Sequence, residues 1–225
     1  MQPMRSDPTS PYPDSPRPEM LAFIPASATR VLDVGCHTGA FGDRLKRRRC
    51  GGCEVWGVEM NPITAAQAQP RLDRVHVGAF DADADIPPHH FDVVVFNDVL
   101  EHFADPWQAL AVARSKLAPG GVVVASIPNF RHLDNLIHLL WRQDFRYEAT
   151  GIRDRTHLRF FTRKSALRLF QDSGFQVLQA RGINADWSHP SWARRLAYRA
   201  IAAAAPDTRY LQFAIVARPD RLPGA

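Results

Sequence analysis

The chain has 225 residues, 45% of them hydrophobic and 23% charged, a size and composition that suit one decorated globular domain, and no apolar run reaches the roughly 18 residues of a spanning helix. Three cysteines, an odd number, exclude a disulfide framework, and a polar, Pro-rich start without an apolar h-region leads to the expectation of a cytoplasmic protein. The net charge of +5 is unevenly spread: residues 1–130 hold 12 Lys/Arg and 15 Asp/Glu, a net of −3, whereas residues 131–225 hold 16 and 8, a net of +8. The basic part suits an anionic small molecule, an anionic membrane surface or nucleic acid. No Lys/Arg run with interleaved aromatics is present, so nucleic acid is not expected.

Residues 1–18 carry six prolines and read as an N-terminal arm. From residue 19 to 218 a single domain is expected, with residues 219–225 as a tail. Short apolar runs, Arg30–Val34, Glu54–Val58, Arg74–Val77, Phe91–Phe96 and Gly121–Ser126, alternate with helical stretches such as Pro106–Leu117, where Leu110, Ala113 and Leu117 recur at helical spacing. That alternation predicts an α/β fold, a doubly wound and mostly parallel sheet with helices on both faces. After the fifth strand comes an insertion over residues 129–160, read as a lid. A helix from Thr162, its N-cap, to Gly174 follows. Two late strands, Phe175–Gln179 and Leu211–Ala217, flank a second variable segment, residues 182–209, with Trp187, Trp192 and a basic helical run over Ala193–Ala205.

Chemistry concentrates at the first strand, Val31-Leu-Asp-Val-Gly-Cys-His-Thr-Gly39. Gly35 and Gly39 let the backbone turn and approach a ligand, with a helix N-terminus just beyond. The plainer reading of the loop is a tight strand-to-helix turn with Asp33 capping it. Glu59 ends the second strand and favours the ligand reading, because a carboxylate there can accept both hydroxyls of a ribose. The nicotinamide fingerprint G-x-G-x-x-G is absent. Cys50-Gly-Gly-Cys53 has C-x-x-C spacing but no second pair and falls in a turn, so no metal site is expected.

The pieces VLDVGCHTG (31–39), VWGVEMNP (55–62), FDVVVFNDVLEHFADP (91–106), LAPGGVVVASIPN (117–129) and FAIVARP (213–219) resemble, in order, those of class I S-adenosylmethionine-dependent methyltransferases. RPEMLAFIP (17–25), TGAFGDRLK (38–46) and DRTHLRFFT (154–162) resemble the branch associated with bacterial polysaccharide and glycosyl-transfer systems. The resemblance implies a seven-stranded sheet of order 3-2-1-4-5-7-6 with the last strand antiparallel. It implies S-adenosyl-L-methionine as cofactor, its methionine part over Gly35, Cys36 and Gly39, with Asp33 near the amino group and Glu59 on the ribose. Adenine would lie between Met60 and the Phe80-Asp81 segment, and Asn97 and Asp98 would line the methyl group. His37 stands where the family commonly has glycine.

In-line methyl transfer to a hydroxyl needs positioning and a proton acceptor. His102 and His157 are the candidate bases, with Asp98 beside them. Each also has a structural reading: a cap or ion pair for His102 next to Glu101, a hydrogen bond within the lid for His157, and a helix cap for Asp98. Arg155 and Arg159, with Arg153, suit an anionic acceptor such as a phosphorylated or lipid-linked saccharide, or else solvate the lid. The stretches Leu133–Trp141 and Ala193–Ala205 either touch an anionic membrane surface peripherally or pack on their own domain. The expected function is O-methylation of a sugar or other small, anionic acceptor. The rivals are a non-catalytic, cofactor-binding partner of a glycosyltransferase and a nicotinamide-dependent oxidoreductase.

Overall fold

A computed structural model describes residues 14–185 and 192–220. Most of the proline-rich arm, Trp187 and the end of the tail lie outside the described residues. The strands β1 (Arg30–Val34), β2 (Glu54–Glu59), β3 (Arg74–Val77), β4 (Phe91–Asn97), β5 (Leu117–Pro128), β6 (Phe175–Ala185) and β7 (Tyr210–Pro219) form one seven-stranded sheet of order β3-β2-β1-β4-β5-β7-β6. β1 pairs in parallel with β2 and β4, β2 with β3, and β7 runs antiparallel to β6. This is the order that the resemblance implied.

The helices are α1 (Ala40–Arg48), α2 (Pro62–Ala68), α3 (Pro106–Lys116), α4 (Leu133–Leu140), α5 (Arg163–Asp172) and α6 (Trp192–Ala204). Val93, Val94, Val95 and Phe96 on β4, with Val123, Val124, Ala125 and Ile127 on β5, are fully buried. Such unbroken apolar runs belong to strands covered on both faces. β6 is different: it is an edge strand, largely exposed, with a register shift between Val177 and Gln179 that bends it.

Local sequence explains where elements start and stop. Asn61 caps α2 by accepting from the Ile63 amide, with Pro62 at the first helical position. Thr162 caps α5 in a reciprocal box with Ser165, and Gly174, at φ 74°, ends it. Gly42 lets α1 settle on the sheet, since a Cβ there would stand 2.4 Å from Leu72 and 2.9 Å from Val55. β5 begins four residues earlier than expected, directly after α3, and takes in Pro119-Gly120-Gly121, with Gly120 at φ 82°. β6 also runs on to Ala185, into the segment read as variable.

The chain divides into two compact units, Met1–Asn97 with Gln108–Val124 and Asp98–Trp107 with Ala125–Ala225. The glycine loop belongs to the first, and both candidate bases belong to the second.

Candidate active site

In the first unit the loop after β1 is tied to β2. The amides of Gly35 and Cys36 both donate to the Val58 carbonyl, at 2.8 and 3.0 Å, and the His37 amide donates to Glu59 Oε2 at 2.9 Å. The Asn61 amide donates to Glu59 Oε1, also at 2.9 Å. Each carboxylate oxygen thus holds one backbone donor and keeps a second lone pair for a ligand hydroxyl. Gly35 and Gly39 adopt φ 71° and 81°, and His37, with φ 51°, occupies the left-handed region that its family position leaves to glycine.

Asp33 is buried behind this loop, and its Oδ1 has no hydrogen-bond partner among the described residues. Burial, reinforced by the nearby Glu59 charge and opposed by Arg17, pushes its carboxyl up to about 8. Both side-chain polar atoms of Asn97 are likewise buried without a partner among the described residues. Such orphaned groups carry a cost that a bound polar ligand removes. Met60 is 74% exposed at the end of β2, open for a flat ring to lie against. Phe80 instead packs its ring edge-on against Phe96, 5.9 Å between centroids, inside the core. Asp81 is exposed and accepts from the Asp83 amide at 3.0 Å in a tight turn. Cys36 turns inward onto Gly57, whose missing Cβ would lie 2.5 Å from its sulfur, so it offers a ligand only its backbone.

The second unit assembles the other candidates. Leu100–His102 is a single 3-10 turn. The His102 and His157 rings meet edge to face, 4.7 Å between centroids. Asp154 Oδ1 accepts the Thr156 hydroxyl at 2.7 Å, and the same hydroxyl oxygen lies 3.1 Å from His102 Nδ1. A hydroxyl has one proton, so with it committed to Asp154 the oxygen accepts from Nδ1–H, and the neutral His102 ring carries its basic lone pair on Nε2. His157 Nδ1 likewise donates to the Ile152 carbonyl at 3.2 Å, and its Nε2 stands 3.8 Å from Glu101 Oε1. Burial holds both imidazoles below their ordinary range; for His157 the neighbouring His102 adds to it, while Asp154 opposes the shift in both. Glu101, His102 and His157 each present a ligand atom, all within 4.8 Å of one another, a set that could hold a divalent ion.

The Asp98 backbone adopts φ 55°, and its carboxylate accepts from Ser126 Oγ at 2.7 Å and from the Gln212 side-chain amide. The lid arginines divide by role. Arg153 is buried and bonded to Asp134 and Glu148, at 3.2 and 2.6 Å; Arg159 donates to the Ala104 carbonyl; Arg155 is exposed. Within α4, Leu133 and Asn135 are buried, whereas Leu140 and, just beyond the helix, Trp141 are 77% and 86% exposed. No helix among the described residues is long and apolar enough to cross a membrane.

The family model for a methyltransferase domain matches residues 10–180. The chain belongs to the methyltransferase domain family. It is 32% identical over 118 residues to the ubiquinone biosynthesis O-methyltransferase of Cereibacter sphaeroides, covering 49% of this chain and 46% of that protein. It is 32% identical over 115 residues to the trans-aconitate 2-methyltransferase of Methylobacterium radiotolerans, covering 51% and 44%. The chain thus spans about half the length of these curated relatives. A methyltransferase in complex with the Haloferax volcanii Trm112 activator shares the fold with a TM-score of 0.64 at 20% identity, covering 90% of this chain and 88% of that one. A SAM-dependent methyltransferase from Archaeoglobus fulgidus does so at 0.59 and 19%, covering 88% and 90%.

The family and fold imply S-adenosylmethionine, and the first unit of this chain fits it. Asp33 suits a cationic amino group, Glu59 a ribose diol, and Met60 a flat base. Three features of the structure escaped the sequence reading: the Asp154–Thr156 relay to His102, the Gln212 and Ser126 grip on Asp98, and Asp14, which reaches Thr38 of the glycine loop and Arg71. Only the first had a signal, the Asp154-Arg-Thr-His157 spacing. The other two depend on residues distant in the chain. Cys50 and Cys53 are free thiols in a turn, as expected.

Proposed function

We propose that this methyltransferase uses S-adenosylmethionine to O-methylate a hydroxyl on a sugar or another small, anionic acceptor, with His102 as general base. The cofactor supplies a methyl group carried on a sulfonium. Asp33, Gly35, Cys36, Gly39, Glu59, Met60 and Asn97 would hold it, with Asp81 at the adenine end. The observation that carries the base assignment is the Asp154–Thr156–His102 chain of hydrogen bonds, which fixes the tautomer and leaves Nε2 basic. A neutral imidazole accepts the hydroxyl proton as the acceptor oxygen attacks, a contribution on the order of 10² to 10⁴ in rate. Asp154 then faces the imidazolium that forms and stabilises it. The O-methyltransferase among its relatives supports oxygen as the methylated atom.

The test is mass-spectrometric detection of methylated product from labelled S-adenosylmethionine over a panel of saccharides, phosphorylated saccharides and phenols, together with calorimetric binding of S-adenosylhomocysteine. Methylation that falls at least 100-fold in His102→Ala, with S-adenosylhomocysteine affinity unchanged, is the expected result. Cofactor binding with no methylated product across the panel would favour a non-catalytic role.

A further inference from the structure

A pocket of about 450 Å³ opens in the second unit between the start of α5 and the β6–β7 pair, lined by residues that include Arg131, Arg163, Lys164, Asp207, Tyr210 and Phe213. Its walls are specified by particular residues. Gly182 on β6 pairs with Phe213, and a Cβ at 182 would stand 2.1 Å from the Tyr210 ring, so the ring lies where only glycine leaves space. Asn129, fully buried, donates from Nδ2 to the carbonyls of Asp207 and Tyr210, at 2.7 and 2.9 Å, and so clamps the segment that carries both lining residues. Arg131 is held at the pocket by Asp207 at 3.1 Å. Arg163 and Lys164 have no such partner: among the described residues neither is in ion-pair contact with a carboxylate.

Three cations against one carboxylate leave the lining at a net of +2. A concave wall with aromatic sides focuses that potential. Both uncommitted cations also sit on the first turn of α5, where the helix dipole adds to them. The matching ligand is a compact dianion joined to a ring: phosphate oxygens suit the guanidinium fork of Arg163 and the Lys164 ammonium, and the ring suits the part of Tyr210 that the Arg209 guanidinium, 4.6 Å from its centroid, leaves open. Of the lid arginines, Arg153 is consumed by Asp134 and Glu148 and Arg159 by a carbonyl, and exposed Arg155 is not among the residues lining this pocket.

We propose that this pocket binds the phosphate of a phosphorylated, ring-bearing compound, with Arg163 and Lys164 on the phosphate and the ring against Tyr210. The inference rests on the transferase reading in one respect, that the bound compound is the acceptor. A phosphorylated saccharide is the acceptor class it selects.

The test is calorimetric titration of the full chain with phenyl phosphate, inorganic phosphate and benzyl alcohol at low salt, repeated on Arg163→Gln/Lys164→Gln. Unfolding temperature and S-adenosylhomocysteine binding report whether the double variant folds. Phenyl phosphate is expected to bind more tightly than the other two probes, and to lose at least tenfold in affinity in the double variant while both controls hold. Should the double variant fail to fold, Lys164→Gln alone is expected to weaken phenyl phosphate threefold or more. No saturable phenyl phosphate binding, or equal affinity in a folded variant, overturns the proposal. Because these titrations need no methyl transfer, their failure leaves the methyltransferase reading standing, and absent methyl transfer with phosphate binding intact counts against that reading alone.

Discussion

The imidazoles of His102 and His157 stand edge to face, 4.7 Å between ring centroids, each with Nδ1 tied to a different partner. Both are held below the ordinary histidine range by burial. A group whose folded pKa is depressed binds its proton more readily when unfolded, so stability is present above the unfolded value of 6.5 and is lost as pH falls from there through the folded values. Urea unfolding between pH 8 and 5 is expected to show this decline beginning near pH 6.5. Methyl transfer is expected to persist at pH values where a free imidazole would already be protonated. An unchanged unfolding free energy across that interval would refute the assignment.

His102 is one of the causes of the low His157 value. His102→Gln removes that neighbouring charge, so the His157 pKa should rise toward 6.5, read by the imidazole NMR shifts during titration. A fall would show that His102 supports His157 rather than opposing it.

Asp33 and Glu59 form the corresponding pair in the first unit. With Asp33 raised to about 8 by burial and by Glu59, the sign is opposite: stability is present below the unfolded carboxylate value and is lost as pH rises through about 8. Asp33→Asn should therefore stabilise the ligand-free protein at pH 9 by about 1 kcal/mol or more, while weakening S-adenosylhomocysteine binding at least tenfold. Differential scanning fluorimetry and calorimetry measure the two effects. Destabilisation at pH 9 would mean that the Asp33 carboxylate is already compensated.

His37 at φ 51° carries a conformational cost of about 1–2 kcal/mol, offset partly by the greater chain entropy of glycine. His37→Gly should stabilise the protein by about 0.5–1 kcal/mol. It should leave Glu59 in place, because the amide at 37, not the side chain, donates to that carboxylate. Chemical denaturation gives the stability, and retained S-adenosylhomocysteine binding checks the loop.

Arg153 is 7% exposed at its side chain, whereas its partners Asp134 and Glu148 are 57% and 45% exposed. Removing the arginine leaves two carboxylates that water can solvate, but removing both carboxylates strands a buried guanidinium. Asp134→Asn/Glu148→Gln should therefore cost about 3 kcal/mol and Arg153→Met only about 1. Unfolding midpoints of the two variants decide the order.

Exposed Cys50 should react readily with a thiol reagent. Cys36 and Cys53 should lag at least 100-fold, since burial raises both thiols. Stopped-flow labelling of the native protein measures the ratio.

Much of the architecture was legible in the chain because it is written in local signals. Apolar, β-branched runs such as Val93–Phe96 read as interior strands, Thr162 and Gly174 mark the ends of α5, and the glycine loop followed by an acid at Glu59 is a candidate ligand loop by its spacing. The strand order came from resemblance, and the seven-stranded sheet agrees with it. Local pattern also determined that Cys50 and Cys53 sit in a turn.

What only the tertiary structure decided concerns the partners of polar groups, which lie far apart in sequence. Asp98 reads as a residue lining the methyl group or as a helix cap, and only the fold shows its carboxylate gripped by Gln212, 114 positions away. Arg153, Arg155 and Arg159 read as one anion site, yet one is a buried ion-pair centre, one binds a carbonyl and one is solvated. The uncommitted cations, Arg163 and Lys164, looked like an ordinary helix start until β6 and β7 supplied an aromatic wall beside them. Periodicity and capping depend on neighbours within a few residues, so sequence carries them. Hydrogen-bond commitment and net charge within a pocket depend on which distant segments the sheet brings together, so only the fold determines them.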